Sequence, residues 1–192
     1  IRVCDTMKKI LVTGSTGFVG RQILNSLLTS DVKLIPVVRI GKEDRIIKSP
    51  SIHRIVSTND IFSESEDWWE QECYDVDVII HSAWHVTPGE YINSTRNLDC
   101  LIGSLQMAKG AVKAGVKHIV GIGTCFEYDL TSGVLSIDTP LRPLTNYAAS
   151  KTALYFELSH WLAIYKVKFS WCRLFYLYGE GEDENRLVAY IH

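Results

Sequence analysis

Apolar residues along the chain alternate between short unbroken runs and longer stretches of helical spacing, the pattern of βαβ units around a parallel sheet. Residues 8–12 predict a buried first strand, followed by a glycine-rich turn and a helix from 17 to about 28. Residues 33–38 predict a second strand, and a polar loop, 41–51, leads to a short third strand at 54–57. The acidic stretch 63–72 carries Trp68 and Trp69 and predicts a surface helix resting on its tryptophans. Residues 76–81 read as strand four and 118–122 as strand five. Between them the spacing predicts one long helix over 91–114, closed by Gly115. A loop rich in Pro, Gly, Ser and Thr, 129–145, precedes a helix to about 165, and 169–174 predicts strand six. The expected fold class is α/β, a Rossmann-type doubly wound parallel sheet.

The two ends carry expectations of their own. Residues 1–6, ahead of Met7-Lys-Lys-Ile-Leu-Val, are expected to form a leader outside the fold. Leu187-Val-Ala-Tyr-Ile-His192 keeps a helical spacing of apolar residues with no cap or polar tail, so that element is expected to be cut short.

Composition narrows the class. The 192 residues are 46% hydrophobic, enough for one well-buried core. Twenty Lys and Arg against 22 acids give a formal net charge of -2, which argues against broad nucleic-acid or polybasic membrane binding. No apolar run is long enough to span a bilayer. The five cysteines (Cys4, Cys73, Cys100, Cys125 and Cys172) are scattered, with no CxxC pair. Neither a zinc ribbon nor a disulfide framework fits, and a reducing, cytoplasmic setting is the expectation.

Candidate chemistry begins at the first turn, Thr13-Gly-Ser-Thr-Gly-Phe-Val-Gly20. Gly14 permits the tight turn, Gly17 lets a pyrophosphate approach the backbone, and Gly20 lets the helix pack on the strand. The helix N-terminus adds free N–H groups and a positive dipole end. Thr16, Phe18 and Val19 complete the residues expected to bind a dinucleotide there. At the end of strand two stands Arg39, with acids only later at Glu43 and Asp44. An Arg in that place accommodates a ribose 2′-phosphate, so NADP is expected in preference to NAD.

A second constellation is Tyr147-Ala-Ala-Ser-Lys151 at the start of a helix, where an i,i+4 spacing puts both side chains on one face. A free Tyr has a pKa of about 10, and a nearby ammonium lowers it. Tyr147 would then exchange a proton with a substrate hydroxyl while a hydride moves to or from the cofactor. Thr124, at the end of strand five, could bond the same oxygen, and Lys151 could also hold the nicotinamide ribose. Other tempting groups have plainer readings. His81 and His85 lie at a strand end with no third ligand nearby, so no metal site is expected, and His85 fits a substrate contact better. Cys125 lacks a partnered His and is not expected to be a nucleophile. The acidic run 180–184 reads as a solvated loop.

Taken together, the chain resembles the extended short-chain dehydrogenases/reductases of the nucleotide-sugar epimerase/dehydratase type. The matching residues are 13–20, Asp60-Ile61, His81-Ser-Ala-Trp84, Asn97, Gly123-Thr-Cys-Phe-Glu-Tyr128, 147–151 and Arg173 to Gly179, in family order. The resemblance implies that residues 7–192 are an NAD(P)-binding Rossmann domain and that a C-terminal substrate lobe is missing. It also implies that Asp60 and Ile61 cradle the adenine, and that Ser82, Ala83 and Trp84 run beside the pyrophosphate and ribose. Thr124, Tyr147 and Lys151 would be the catalytic triad, with Asn97 behind it. A homodimer through the helices near 91–114 and 144–165 is implied as well.

The resemblance leaves several functions open. A reductase or epimerase acting on a nucleotide sugar is the leading expectation, and Arg39 favours the reductase. Sugar dehydratases carry acids directly after the catalytic hydroxyl; here Cys125 and Phe126 fill those places after Thr124, and Glu127 follows one place out of register, which counts against dehydration. Tyr176 stands where the family often has an Asn near the sugar phosphate. Two further functions stay open. One is a non-catalytic dinucleotide sensor, which would have no need of Tyr147 and Lys151. The second is a chain inactive without its substrate lobe.

Overall fold

Alternation within the strands decides which layer each side chain joins. The structure is a computed structural model that describes residues 7–182. The expected leader (1–6) and the apolar run 187–192 lie outside the described residues, as does part of the acidic run 180–184. Six strands, β1 (Lys8–Thr13), β2 (Val32–Arg39), β3 (Val56–Thr58), β4 (Val78–His81), β5 (His118–Thr124) and β6 (Lys168–Leu174), form one sheet. Their order is β3-β2-β1-β4-β5-β6 and every pairing is parallel. This is the Rossmann order, with the reversal between β1 and β4.

In β1, Ile10 and Val12 face one side with Leu34 and Val38 of β2 and are covered by Leu24 of helix α1 (Phe18–Leu27). Leu11 faces the other side. It lies in register with Ile35 and Ile79, and Ile79 with Ile119, so one apolar row crosses four strands. Each of these four is at most 1% exposed, and burying such a side chain contributes about 1.5–3 kcal/mol. The row is covered by α2 (Glu66–Glu72), α3 (Arg96–Ala114) and α4 (Asn146–Ile164). Trp69 of α2 is fully buried in that layer, while Trp68 stays at its margin. Glu66 ties α2 to α3 through Lys109 and Lys113.

The observed elements differ from expectation in a few places. The helix expected over 91–114 is a 3₁₀ turn, Tyr91–Asn93, followed by a break and then α3. The cause is Asn97, whose amide Nδ2 donates to the carbonyls of Tyr91 (2.6 Å) and Ser94 (2.9 Å) and so ends the turn there. Gly17 is the N-cap of α1 rather than its first residue. β3 is only three residues long and starts at Val56. β4 starts at Val78, and β5 runs two residues further than expected, so Thr124 is its last residue. The loop 129–145 contains a short 3₁₀ turn, Leu130–Ser132.

Candidate active site

Five strands deliver their C-terminal ends to one edge of the sheet, and the candidate residues sit along it. Gly14, Thr16 and Gly17 follow β1, Arg39 ends β2, Asp60 and Ile61 follow β3, Ser82–Trp84 follow β4, and Thr124 ends β5. In an open α/β sheet that edge, at the point where strand order reverses, is where ligands bind.

The glycine turn is built for close approach. Gly14 has φ +69°, and a Cβ there would lie 2.8 Å from the Ala83 backbone N. At Gly20 a Cβ would meet the Gly14 carbonyl and lie 2.7 Å from Ser82 Oγ, so α1 can press onto the turn only without a side chain. Gly17 is exposed and caps α1 with no side-chain hydrogen bond, leaving the first-turn N–H groups for an anion. Thr16, Phe18 and Val19 are half-buried around it. A side-chain-free turn before an uncapped helix fits the pyrophosphate of a dinucleotide.

A buried histidine braces this turn. Thr13 Oγ1 lies 2.9 Å from His81 Nδ1, and His81 Nε2 lies 2.8 Å from Ser104 Oγ. Ser104 donates its own proton to the Cys100 carbonyl, so it accepts from Nε2–H, and Nδ1 accepts from Thr13. The ring is therefore neutral, and burial, reinforced by the Lys151 charge, pushes its pKa down to about 3. Ala83 N–H bonds Thr13 Oγ1 and Ser82 Oγ bonds the Thr13 carbonyl, so the segment after β4 is fastened to the turn after β1.

Arg39 is exposed at the end of β2. Asp60 accepts from Arg96 at 2.7 Å and from the Phe62 N–H at 3.1 Å. Its partial burial opposes ionisation, but these bonds and the charges of Arg96 and Arg39 hold its carboxyl below the ordinary value. The Asp60–Arg96 pair was not visible in sequence, because the partners are 36 residues apart.

The acid–base candidates converge at the start of α4. Thr145 caps the helix by accepting from Ala148 N–H, which sets Tyr147 in the first turn and Lys151 one turn later. Tyr147 is 8% exposed, with the Thr124 hydroxyl near its phenol. Burial pushes the Tyr147 pKa up, and the nearby Thr124 hydroxyl opposes it. The expected lowering by Lys151 is thus not what governs the phenol in the chain by itself. Lys151 is 2% exposed and donates to the Ile122 carbonyl at 2.7 Å, with its ammonium 3.9 Å from the centre of a Trp84 ring. Burial lowers its pKa to about 7, with the charge of Glu127 acting the other way.

The model of the NAD-dependent epimerase/dehydratase family matches residues 10–192. The chain belongs to that family. Across this epimerase/dehydratase chain, a dTDP-6-deoxy-L-talose 4-dehydrogenase (NAD(+)) of Aggregatibacter actinomycetemcomitans is 22% identical over 183 residues, 95% of the chain and 66% of that enzyme. A UDP-N-acetylglucosamine 4-epimerase from Methanobrevibacter ruminantium M1, solved with UDP-N-acetylmuramic acid, superposes with a TM-score of 0.79 at 21% identity. A UDP-glucose 4-epimerase from Thermus thermophilus, in complex with NAD, gives 0.78 at 21% identity. Each alignment takes 94% of this chain and 59% of the solved one. The chain thus spans roughly three-fifths of the length of these structures, and the likeness establishes the fold.

The least expected feature of this family member is Glu127. Its side chain is fully buried and accepts from Thr124 N–H (2.8 Å), Trp171 Nε1 (3.0 Å) and Arg173 Nε (2.8 Å). The acid that looked out of register for dehydration chemistry is the anchor of the strand end that carries Thr124. Only its place three residues after Thr124, a capping-box spacing, signalled this in sequence. Cys125 beside it is buried, and burial raises its thiol pKa. Tyr176 is 80% exposed and meets Phe126 edge to face. Among the described residues no group of three His, Cys, Asp or Glu is placed to hold a metal, and no helix is long and apolar enough to cross a membrane.

Proposed function

We propose that this chain provides the cofactor site and acid–base centre of an NAD(P)-dependent enzyme acting on a nucleotide sugar, as a reductase or an epimerase. The observation that carries this reading is the convergence of Thr124, Tyr147 and Lys151 at the edge that also bears the glycine turn. The turn residues Gly14, Gly17 and Gly20, with the uncapped start of α1, would hold the pyrophosphate, and Ser82–Trp84 would flank it. A bound nicotinamide supplies or receives the hydride at the sugar carbon. Tyr147 gives or takes the proton of the hydroxyl on that carbon, and Thr124 orients the same oxygen. Lys151, one turn along, favours the phenolate whenever it is charged.

Family membership and the names of the relatives support a nucleotide-sugar substrate. Against dehydration stand Cys125 and Phe126, which offer no acid, and Glu127, whose carboxylate is committed to three donors. Exposed Arg39 at the end of β2 supports a preference for NADP, which favours the reductase.

The test is to supply NAD(P)H with 4-keto nucleotide sugars, and NAD with 4-hydroxy ones, to wild type and Tyr147→Phe. Tyr147-dependent reduction or epimerisation is the expected result. Release of a dehydrated sugar, or turnover equal in both proteins, would overturn the reading.

A further inference from the structure

Lys151 and Tyr147 share a neighbour that neither the glycine turn nor the triad accounts for. Trp84 follows β4, and the family resemblance cast it as a residue beside the cofactor. Its ring is turned toward α4. The Lys151 ammonium lies 3.9 Å from the Trp84 ring centre, and the Tyr147 ring meets Trp84 edge to face at 6.4 Å. The indole Nε1 donates to Asn97 Oδ1 at 2.8 Å. Asn97 is fully buried, and its amide nitrogen holds the carbonyls of Tyr91 and Ser94. The ring of Tyr91 packs at right angles on Tyr147, 4.9 Å between centres. One asparagine thus fixes both aromatic walls around the phenol.

We propose that Trp84, anchored by Asn97, is a positioning residue for the acid–base pair: its face supports the Lys151 ammonium and its T-shaped contact sets the Tyr147 ring. The physical need is clear from what else faces that ammonium. His81 from β4 is neutral, Cys100 from α3 is a buried thiol, Tyr147 shares the helix, and the Trp171 ring of β6 lies farther off, its centre 5.9 Å from the ammonium against 3.9 Å for Trp84. The carboxylate of Glu127, beyond β5, acts on it only through its field and is hydrogen-bonded elsewhere. A buried ammonium with one backbone acceptor needs further stabilisation, and the negative face of an indole supplies it without taking a proton.

The inference rests on the acid–base reading of Tyr147 and Lys151 for its use, but it is measured without cofactor or sugar. Lysine labelled at Cε with ¹³C is followed by NMR against pH, the Lys151 signal being identified by its loss in Lys151→Met. Trp84→Leu removes the π face while keeping the surroundings apolar, and Trp84→Phe keeps a weaker face. The expected result is a Lys151 midpoint that falls from Trp to Phe to Leu, by about tenfold in the protonation constant for Leu. Equal midpoints in all three, or a rise, would overturn the proposal and reduce Trp84 to a packing residue. If the Leu variant does not fold, the Phe variant decides alone, since an unmoved midpoint there would overturn it too. A Tyr147→Phe enzyme with full turnover would instead overturn the acid–base reading and leave these midpoints untouched.

Discussion

The carboxylate of Glu127 accepts from Arg173 Nε at 2.8 Å, across the β5–β6 pair and with no exposure of its own. The Arg173 guanidinium is stacked 4.4 Å from the ring centre of Tyr155 and 5.0 Å from that of Tyr128. The pair joins the end of the strand carrying Thr124 to the last strand of the sheet.

Removing one partner leaves a buried charge uncompensated, which costs far more than the net worth of the pair. Glu127→Ala is therefore expected to lower unfolding free energy by about 3–5 kcal/mol, with Arg173→Met comparable and the double variant less than additive. Urea unfolding of the four proteins measures this, and strict additivity would show that the two residues act separately.

The three turn glycines should separate by role. Gly20→Ala drives a methyl into the Gly14 carbonyl and against Ser82 Oγ, so α1 must lift off the turn and stability should collapse. At Gly17 the φ is -79° and the nearest atom to an added Cβ is Gly14 O at 3.3 Å, which the backbone can accommodate. Gly17→Ala should keep its unfolding free energy within about 1 kcal/mol while binding NADH and NADPH more weakly. Thermal unfolding alongside tryptophan-to-nicotinamide energy transfer distinguishes these, and unchanged affinity in Gly17→Ala would detach the turn from the cofactor.

What was legible in the sequence follows from locality. Short apolar runs in 8–12 and 33–38 mark β1 and β2 because the middle of each strand meets water on neither face, and the glycines mark a turn whose geometry is set within eight residues. What was not legible depends on partners far along the chain. The break after Tyr91–Asn93 exists because Asn97 prefers two local carbonyls while holding Trp84, thirteen residues away. Glu127 reads as a misplaced catalytic acid until Trp171 and Arg173, 44 and 46 residues on, are brought beside it. Tyr147 and Lys151 were found by spacing, but the burial that dominates both depends on partners far along the chain, Trp84 over both and Tyr91 against the phenol ring.

His81 gives the chain a sloping acid limb. Burial first, and the Lys151 charge second, lower its folded pKa to about 3 from 6.5. As pH falls from 6.5 toward 3 the unfolded chain takes up a proton that the folded chain refuses. The stability is complete above the unfolded value and is lost at up to about 1.4 kcal/mol per pH unit across that window. Lys151 acts likewise at higher pH, between 10.5 and about 7. Urea unfolding from pH 8 to 4 should show the lower slope in wild type and a flatter one in His81→Gln; identical slopes would assign the loss to other groups.

Tyr147→Phe removes one oxygen from a ring held by Trp84 and Tyr91, so the ring should stay in place. Cofactor affinity is expected to change little, while turnover falls by on the order of 10²- to 10⁴-fold, the worth of a positioned acid–base group. Comparing the cofactor Kd with kcat in the two proteins separates the effects. A variant that keeps a substantial part of its rate would remove Tyr147 from the proton path.

Arg39 tests the cofactor preference. It ends β2 in an exposed position, next to Asp60 in charge though not bonded to it, and the acids Glu43 and Asp44 follow only after a turn. Glu43 is itself engaged, accepting from Ser57 at 2.6 Å, so it is not free to take a ribose diol without breaking that bond. A guanidinium at the strand end can pair with a 2′-phosphate, whereas a carboxylate there would repel it and accept from the 2′-hydroxyl instead. Wild type should therefore bind NADPH more tightly than NADH, and Arg39→Asp should reverse the ratio by about tenfold or more, roughly 1.4 kcal/mol per decade. Raising ionic strength should narrow the wild-type difference, because the exposed pair is screened. A ratio that does not move with the substitution would leave Arg39 as a solvated loop residue and return the balance to an NAD-using epimerase.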